Sequence, residues 1–265
     1  MESSNPVFSR SREFRRGGYA TFEPGTPSAT ELQDMYTSPA ASATQMGRMT
    51  FDDVVVRTAL MFGVLLATAA ATFVLVQPGQ FGIVFIFMIV GLGLGLVNSF
   101  KREPSPPLIL AYAGAEGVFV GGISRLYESA YSGVVPQAVL GTLGAFTAML
   151  VLYRSGKLRA TPKFQRVLVM ALVGYLLFGV MHMIGVWLHL WGSVYAGNGV
   201  LPLLLSGFGV VLASLFLVLD FDFIEQGVRN GLPERYAWTA AFGLVVTLIW
   251  LYLEILRLVS ILNRD

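Results

Sequence analysis

The sequence predicts an all-α, polytopic membrane bundle of seven transmembrane helices behind a disordered N-terminal tail. Of its 265 residues, 55% are hydrophobic and only 13% charged, and the mean hydropathy is +0.67. From residue 54 onward, apolar runs of about 20 residues recur between short polar breaks, each enough to cross a hydrocarbon layer roughly 30 Å thick as a helix. Such a composition leaves no room for a soluble catalytic domain. A formal net charge of +2, spread over loops rather than gathered in a patch, excludes nucleic acid as the partner. Zero cysteines exclude a disulfide framework, a thiolate metal site and a Cys nucleophile.

Residues 1–47 are expected to form a disordered cytoplasmic tail, because Arg15-Arg16-Gly17-Gly18, Pro24-Gly25-Thr26-Pro27 and Thr37-Ser38-Pro39 sit among few aliphatic residues. The early arginines lack the apolar stretch that follows them in a secretory signal, so the tail is expected to stay on the protein. It carries too little apolar material for a core, so the bundle is expected to fold without it.

Residues 48–265 are the expected transmembrane domain. Its spans are placed at Val54–Val76, Phe81–Phe100, Leu108–Tyr127, Val134–Tyr153, Val167–Leu190, Val200–Phe223 and Ala237–Leu262. Gln77-Pro78-Gly79-Gln80, Glu103-Pro104-Ser105-Pro106-Pro107, Tyr131-Ser132-Gly133 and Gly197-Asn198-Gly199 are turn-rich connections short enough to join antiparallel neighbours. Gly91, Gly93 and Gly95 in the second span, and Ala113, Gly117 and Gly121 in the third, are small residues at the spacing that lets helices approach closely.

Basic residues alternate between the connections. Arg10, Arg12, Arg15, Arg16 and Arg48 precede the first span; Lys101 and Arg102, then Arg154, Lys157, Arg159, Lys163 and Arg166, then Arg229 and Arg235 fill every second break. The breaks at 77–80, 128–133 and 191–199 have none. The positive-inside rule therefore puts the N-terminus in the cytoplasm and, after an odd number of spans, the C-terminus outside.

A charge at mid-bilayer costs about 2.5–3.5 kcal/mol on insertion scales, so ionisable residues in the spans are the first functional candidates. They are Glu116 in the third span, His182 and His189 in the fifth, Asp220 and Asp222 late in the sixth, and Glu254 in the seventh. Asp220 and Asp222 lie about 200° apart round a helix, so both cannot face the interior. Asp222 is either an interior acid or a solvated acid at a helix end. Glu254 sits within Leu251-Tyr252-Leu253-Glu254-Ile255-Leu256 with no loop nearby, and Arg257, three residues on, is placed to neutralise it. Glu116 and Arg125 are about 180° apart on one helix, so each needs a partner elsewhere or, for Arg125, Glu128 at the interface. Asp53 and Arg57 form an i,i+4 pair where the first span begins.

Enzyme chemistry finds no footing, and no cofactor is expected. His182 and His189 lie about 10.5 Å apart on one face, too far to share a metal, and no HExxH motif accompanies them. Ser206 lacks the Gly-x-Ser-Gly setting of a rhomboid-type protease. Lys101, Lys157 and Lys163 are the only lysines and all lie in loops, which excludes a retinal Schiff base in the last helix.

Seven spans without large loops, Glu116-Gly117 in the third, Pro136-Gln137-Ala138 opening the fourth, an acid ending the sixth and the final Leu251-Tyr252-Leu253-Glu254-Ile255-Leu256 together resemble the Bax inhibitor-1 family, also called the transmembrane Bax-inhibitor-motif family. The likeness covers about residues 48–265 and is greatest to the actinobacterial branch, which implies a plasma membrane. The resemblance further implies that the last-helix acid, here Glu254, faces a second acid late in the sixth helix, Asp222 or less well Asp220. In the family this pair is viewed as a proton-sensing gate for a calcium leak. Glu254 stands where the family usually has Asp.

Two functions from different classes follow. One is a pH-gated calcium pathway in which Glu254 and Asp222 share a proton or weakly hold the ion through oxygen ligands, with Glu116, Arg125 and Arg257 as possible partners. The other is a non-conducting regulator that binds and restrains another membrane protein, such as a membrane protease. They differ in what Glu254 must meet: a second acid for the first, nothing in particular for the second.

Overall fold

The computed structural model describes residues 28–30, 33, 46–76, 81–196 and 199–264. The expected tail, 1–47, lies almost wholly outside the described residues. Helices α1 (Phe51–Leu75), α2 (Phe81–Phe100), α3 (Pro106–Ala130), α4 (Val134–Arg154), α5 (Pro162–Trp187), α6 (Val200–Arg229) and α7 (Ala237–Leu262) are each long and apolar enough to span a membrane. They belong to one unit, Ala43–Asp265.

Local chemistry sets their ends. Thr50 opens α1 with a reciprocal capping box: its hydroxyl accepts from the Asp53 amide while the Asp53 carboxylate accepts from the Thr50 amide. Proline occupies the first turn of α3 and α5, where its missing N–H costs nothing. The α5 helix stops at Trp187, three residues before the expected Leu190, because His189 turns left-handed at φ 56° and the Leu190 amide returns to the Gly185 carbonyl. By contrast α6 runs past Phe223 to Arg229. Its stop is Gly231 at φ 64°, beyond which the Leu232 amide donates to the Gly227 carbonyl. Asp222 is therefore not a helix-end acid.

The last helix is the axis of the packing. In its apolar window 56% of residues are buried, against 6% for α5. One core cluster joins α7 to α4 and α6 through Ala138, Leu217, Phe221 and Leu251. A second joins it to α1 and α3 through Met61, Tyr112, Ala113 and Val245. The small-residue face expected on α3 meets α1: a Cβ on Gly117 would collide with the Leu65 carbonyl, and one on Gly121 with Ala69. On its other side α3 packs against α2, where Gly91 accepts Glu116 and Gly95 accepts Tyr112.

Contacts tie the connections into two ends. Arg57 bonds Glu234 at 2.5 Å, Arg235 bonds Glu103 at 3.0 Å and the Tyr153 hydroxyl donates to Glu225 at 2.5 Å, gathering the basic connections at one end. At the opposite end Arg264 donates to the Tyr195 carbonyl at 2.6 Å and Asn263 to Gln137 at 3.4 Å. The Asp53–Arg57 pair is present at 3.5 Å, but the closer partner of Arg57 is Glu234.

Candidate functional site

Glu254 is 3% exposed, at the contact of α5, α6 and α7. Its Oε1 accepts from the Tyr175 hydroxyl of α5 at 2.7 Å and from the Trp250 indole at 3.1 Å, and its Oε2 accepts from Arg257 Nη1 at 2.9 Å. The Arg257 guanidinium lies 4.8 Å from the centre of the Tyr195 ring, so a cation–π contact covers its other face. Room for this carboxylate comes from Gly209 of α6, where a Cβ would stand 2.6 Å from Oε2 and 2.8 Å from the Tyr175 hydroxyl. The carboxyl group thus meets two neutral donors and a cation that is itself the third donor, the arrangement that lets a buried acid persist out of water.

Asp220 is the acid of α6 that faces the last helix. It lies against Gly243, where a Cβ would sit 3.7 Å from Oδ1, and accepts a hydrogen bond from Thr247. Its Oδ2 is buried with no hydrogen-bond partner among the described residues. Asp222 points elsewhere, accepting from Gln226 at 2.5 Å near Glu225.

The expected pairing of Glu254 with Asp222 is not formed, nor is one with Asp220. The antiparallel register explains why. Gly209 faces Glu254 and Asp220 faces Gly243, so the two acids sit about 16 Å apart along the α6–α7 seam, with Asp222 on another face. Neither Asp222 nor Glu254 is placed to share a calcium ion. The remaining candidates also separate. Arg125 does not pair with Glu128: its guanidinium stacks 5.4 Å from the centre of Phe73, while Glu128 accepts from the Gly133 and Val135 amides and caps the turn into α4. Glu116 rests on Gly91 and meets neither Arg125 nor Arg257. His182 Nε2 accepts from the Val194 amide at 2.9 Å, which fixes the connection after α5. Among the described residues no group of three or more His, Asp or Glu side chains gathers to hold a metal.

Sequence reasoning missed Tyr175, Trp250, Gly209, Thr247 and Gly243. Only Trp250, one turn before Glu254, carried a local signal. The α6 stripe Ser206, Gly209, Ala213, Leu217, Ile224 and Gly227, buried at helical spacing, does include position 220 and not 222, so the choice between the two acids was present in the periodicity.

A family model described as Bax inhibitor 1 like matches residues 5–264. No curated protein matches the chain.

Proposed function

The chain belongs to the Bax inhibitor 1 like family, and on that premise we propose that it is a proton-sensitive calcium leak whose route follows the α6–α7 seam. Because Glu254 meets Arg257 and no second acid among the described residues, the expected carboxylate-pair gate is dropped and the reading rests on Asp220 alone. The observation that carries the proposal is the orphaned Oδ2 of Asp220, a buried oxygen to which no described residue donates. Calcium and protons both seek such an oxygen, so each displaces the other. Asp220 and the Thr247 hydroxyl supply far fewer than the roughly six to eight oxygens that a resident calcium takes, which suits an ion in transit that keeps part of its water. Farther along the seam, Glu254 is saturated by Arg257, Tyr175 and Trp250, and this cluster closes the route.

Reconstituted in liposomes, the protein is expected to admit calcium faster than protein-free vesicles do, with a rate that changes between about pH 6 and 8. Replacing an anionic ligand worth about 1.4 kcal/mol at the barrier slows passage about tenfold, the drop expected for Asp220→Asn; Asp222→Asn is expected to stay within about twofold. No flux at any pH, or equal effects of the two substitutions, overturns the proposal.

In this reading the protein lies in the plasma membrane with its basic end in the cytoplasm. Reporter fusions after Tyr131 and at Asp265 are expected outside and fusions within residues 154–166 inside. An inside C-terminus overturns this orientation.

A second reading, a non-conducting regulator that binds a membrane protein such as a membrane protease, draws support from α5, whose apolar faces are open along most of its length. Co-purification through α5 without flux favours that reading.

A further inference from the structure

Glu116 is unlike the other membrane acids. Asp220 accepts from Thr247 and Glu254 is saturated, whereas Glu116 has no hydrogen bond and no ion pair with any described residue. It lies about 15 Å along α3 from Pro106 and about 21 Å from Ala130, close to mid-span. Its carboxyl occupies a notch in α2: a Cβ on Gly91 would stand 2.6 Å from Oε1 and 3.1 Å from Cδ. The residue is half-buried, beside a helix, α2, of whose apolar window only 11% is buried.

Nothing described around the notch balances a charge. The α2 helix contains no Asp, Glu, Lys, Arg or His. On α1 the charged residues Asp52, Asp53 and Arg57 lie at its first turns, and Arg57 is held by Asp53 and Glu234. On α7 Glu254 and Arg257 satisfy each other. On α3 itself Arg125 stacks on Phe73, Glu128 caps the next turn, and Tyr112, one turn away, is an uncharged neighbour packed against Gly95 and Phe242. An unpartnered carboxyl in hydrocarbon does no structural work that Gln or Leu would not do at lower cost.

We propose that Glu116 is a proton-binding site within the hydrocarbon layer, set in the α2–α3 seam and reached from the lipid. It is separate from the α6–α7 seam and does not depend on ion flux. Its expected chemistry is that of a neutral carboxylic acid in an apolar medium, which adds to lipid-soluble carbodiimides. The acid proton passes to one nitrogen of the N=C=N group as the carboxyl oxygen bonds to the central carbon. The acyl group then migrates to nitrogen, leaving a stable N-acylurea with no leaving group and no redox change.

The test treats the full chain in lipid nanodiscs at neutral pH with dicyclohexylcarbodiimide, or with a water-soluble carbodiimide plus glycinamide, and maps adducts by peptide mass spectrometry. The lipid-soluble reagent is expected to label Glu116 ahead of every other acid. The water-soluble pair is expected to label exposed Glu103 and Glu234 and to spare Glu116. In Glu116→Gln the adduct disappears and the melting temperature stays within about 2 °C of the parent or rises. Absence of a Glu116 adduct with the lipid-soluble reagent, or its appearance with the water-soluble pair, overturns the proposal. If Glu116→Gln does not fold, the two labelling patterns of the parent decide.

Discussion

Gly121→Leu is expected to abolish the folded bundle, and Gly121→Ala to cost about 1–3 kcal/mol or more, the range for overpacking a close contact. A Cβ at this position would come 2.8 Å from the Ala69 Cα and closer still to its carbonyl oxygen. Both are backbone atoms of α1, so no side-chain rotation relieves the clash and the two helix axes must move apart. One turn earlier, Gly117 meets the Leu65 carbonyl in the same way, so separating the helices at one site strips packing from the other. The control is Gly144→Ala on α4, where nothing lies within 4 Å of the added Cβ. That substitution is expected to be neutral or to stabilise by up to about 1 kcal/mol, since Ala loses less backbone entropy than Gly in a helix. Thermal unfolding in detergent, read by size-exclusion chromatography, checks both. Equal tolerance of Ala at 121 and 144 would show that α1 and α3 do not pack through these glycines.

The spacing of Ala113, Gly117 and Gly121 makes this contact legible in the sequence, because close helix approach depends on a local, periodic property. The seven spans are legible for the same reason: hydrocarbon requires an unbroken apolar run from each helix by itself. Ends are harder. The expected α6 span stops short at Phe223 because Asp222, Glu225 and Gln226 look like a loop, whereas the actual stop signal, Asn230-Gly231, lies farther on. The site is least legible. Helical geometry establishes that Asp220 and Asp222 cannot both face inward, but the depth at which α6 and α7 pair is a long-range fact set by Gly209 receiving Glu254. No residue near Glu254 in sequence announces that its carboxylate will meet Tyr175, far back on α5.

Arg257→Met is expected to destabilise the protein by about 3 kcal/mol, and Glu254→Gln in the same chain to recover most of that loss. Removing one partner of a buried pair leaves an uncompensated charge, which costs about 3–5 kcal/mol in soluble proteins. The low end applies here because the Arg257 side chain is 30% exposed, against 4% for Glu254, and the Tyr175 and Trp250 donors remain. Glu254→Gln alone is expected to cost about 1–2 kcal/mol, since one end of the amide turns an N–H toward Arg257 or Tyr175 and leaves a donor unmet. In the double substitution the amide faces a thioether and keeps the Tyr175 and Trp250 bonds, so the sum of the single losses exceeds the measured loss by about 3 kcal/mol. Simple additivity would mean that the pair contributes nothing in the membrane. Flux separates stability from function in the same proteins. If the cluster closes the α6–α7 route, Arg257→Met removes the cation from that closure and raises calcium entry, and the double substitution, which restores stability without the ion pair, stays leaky. A leak that returns to the parent rate whenever stability does would make Glu254 and Arg257 a fastening for α5 and remove them from the closure of the route.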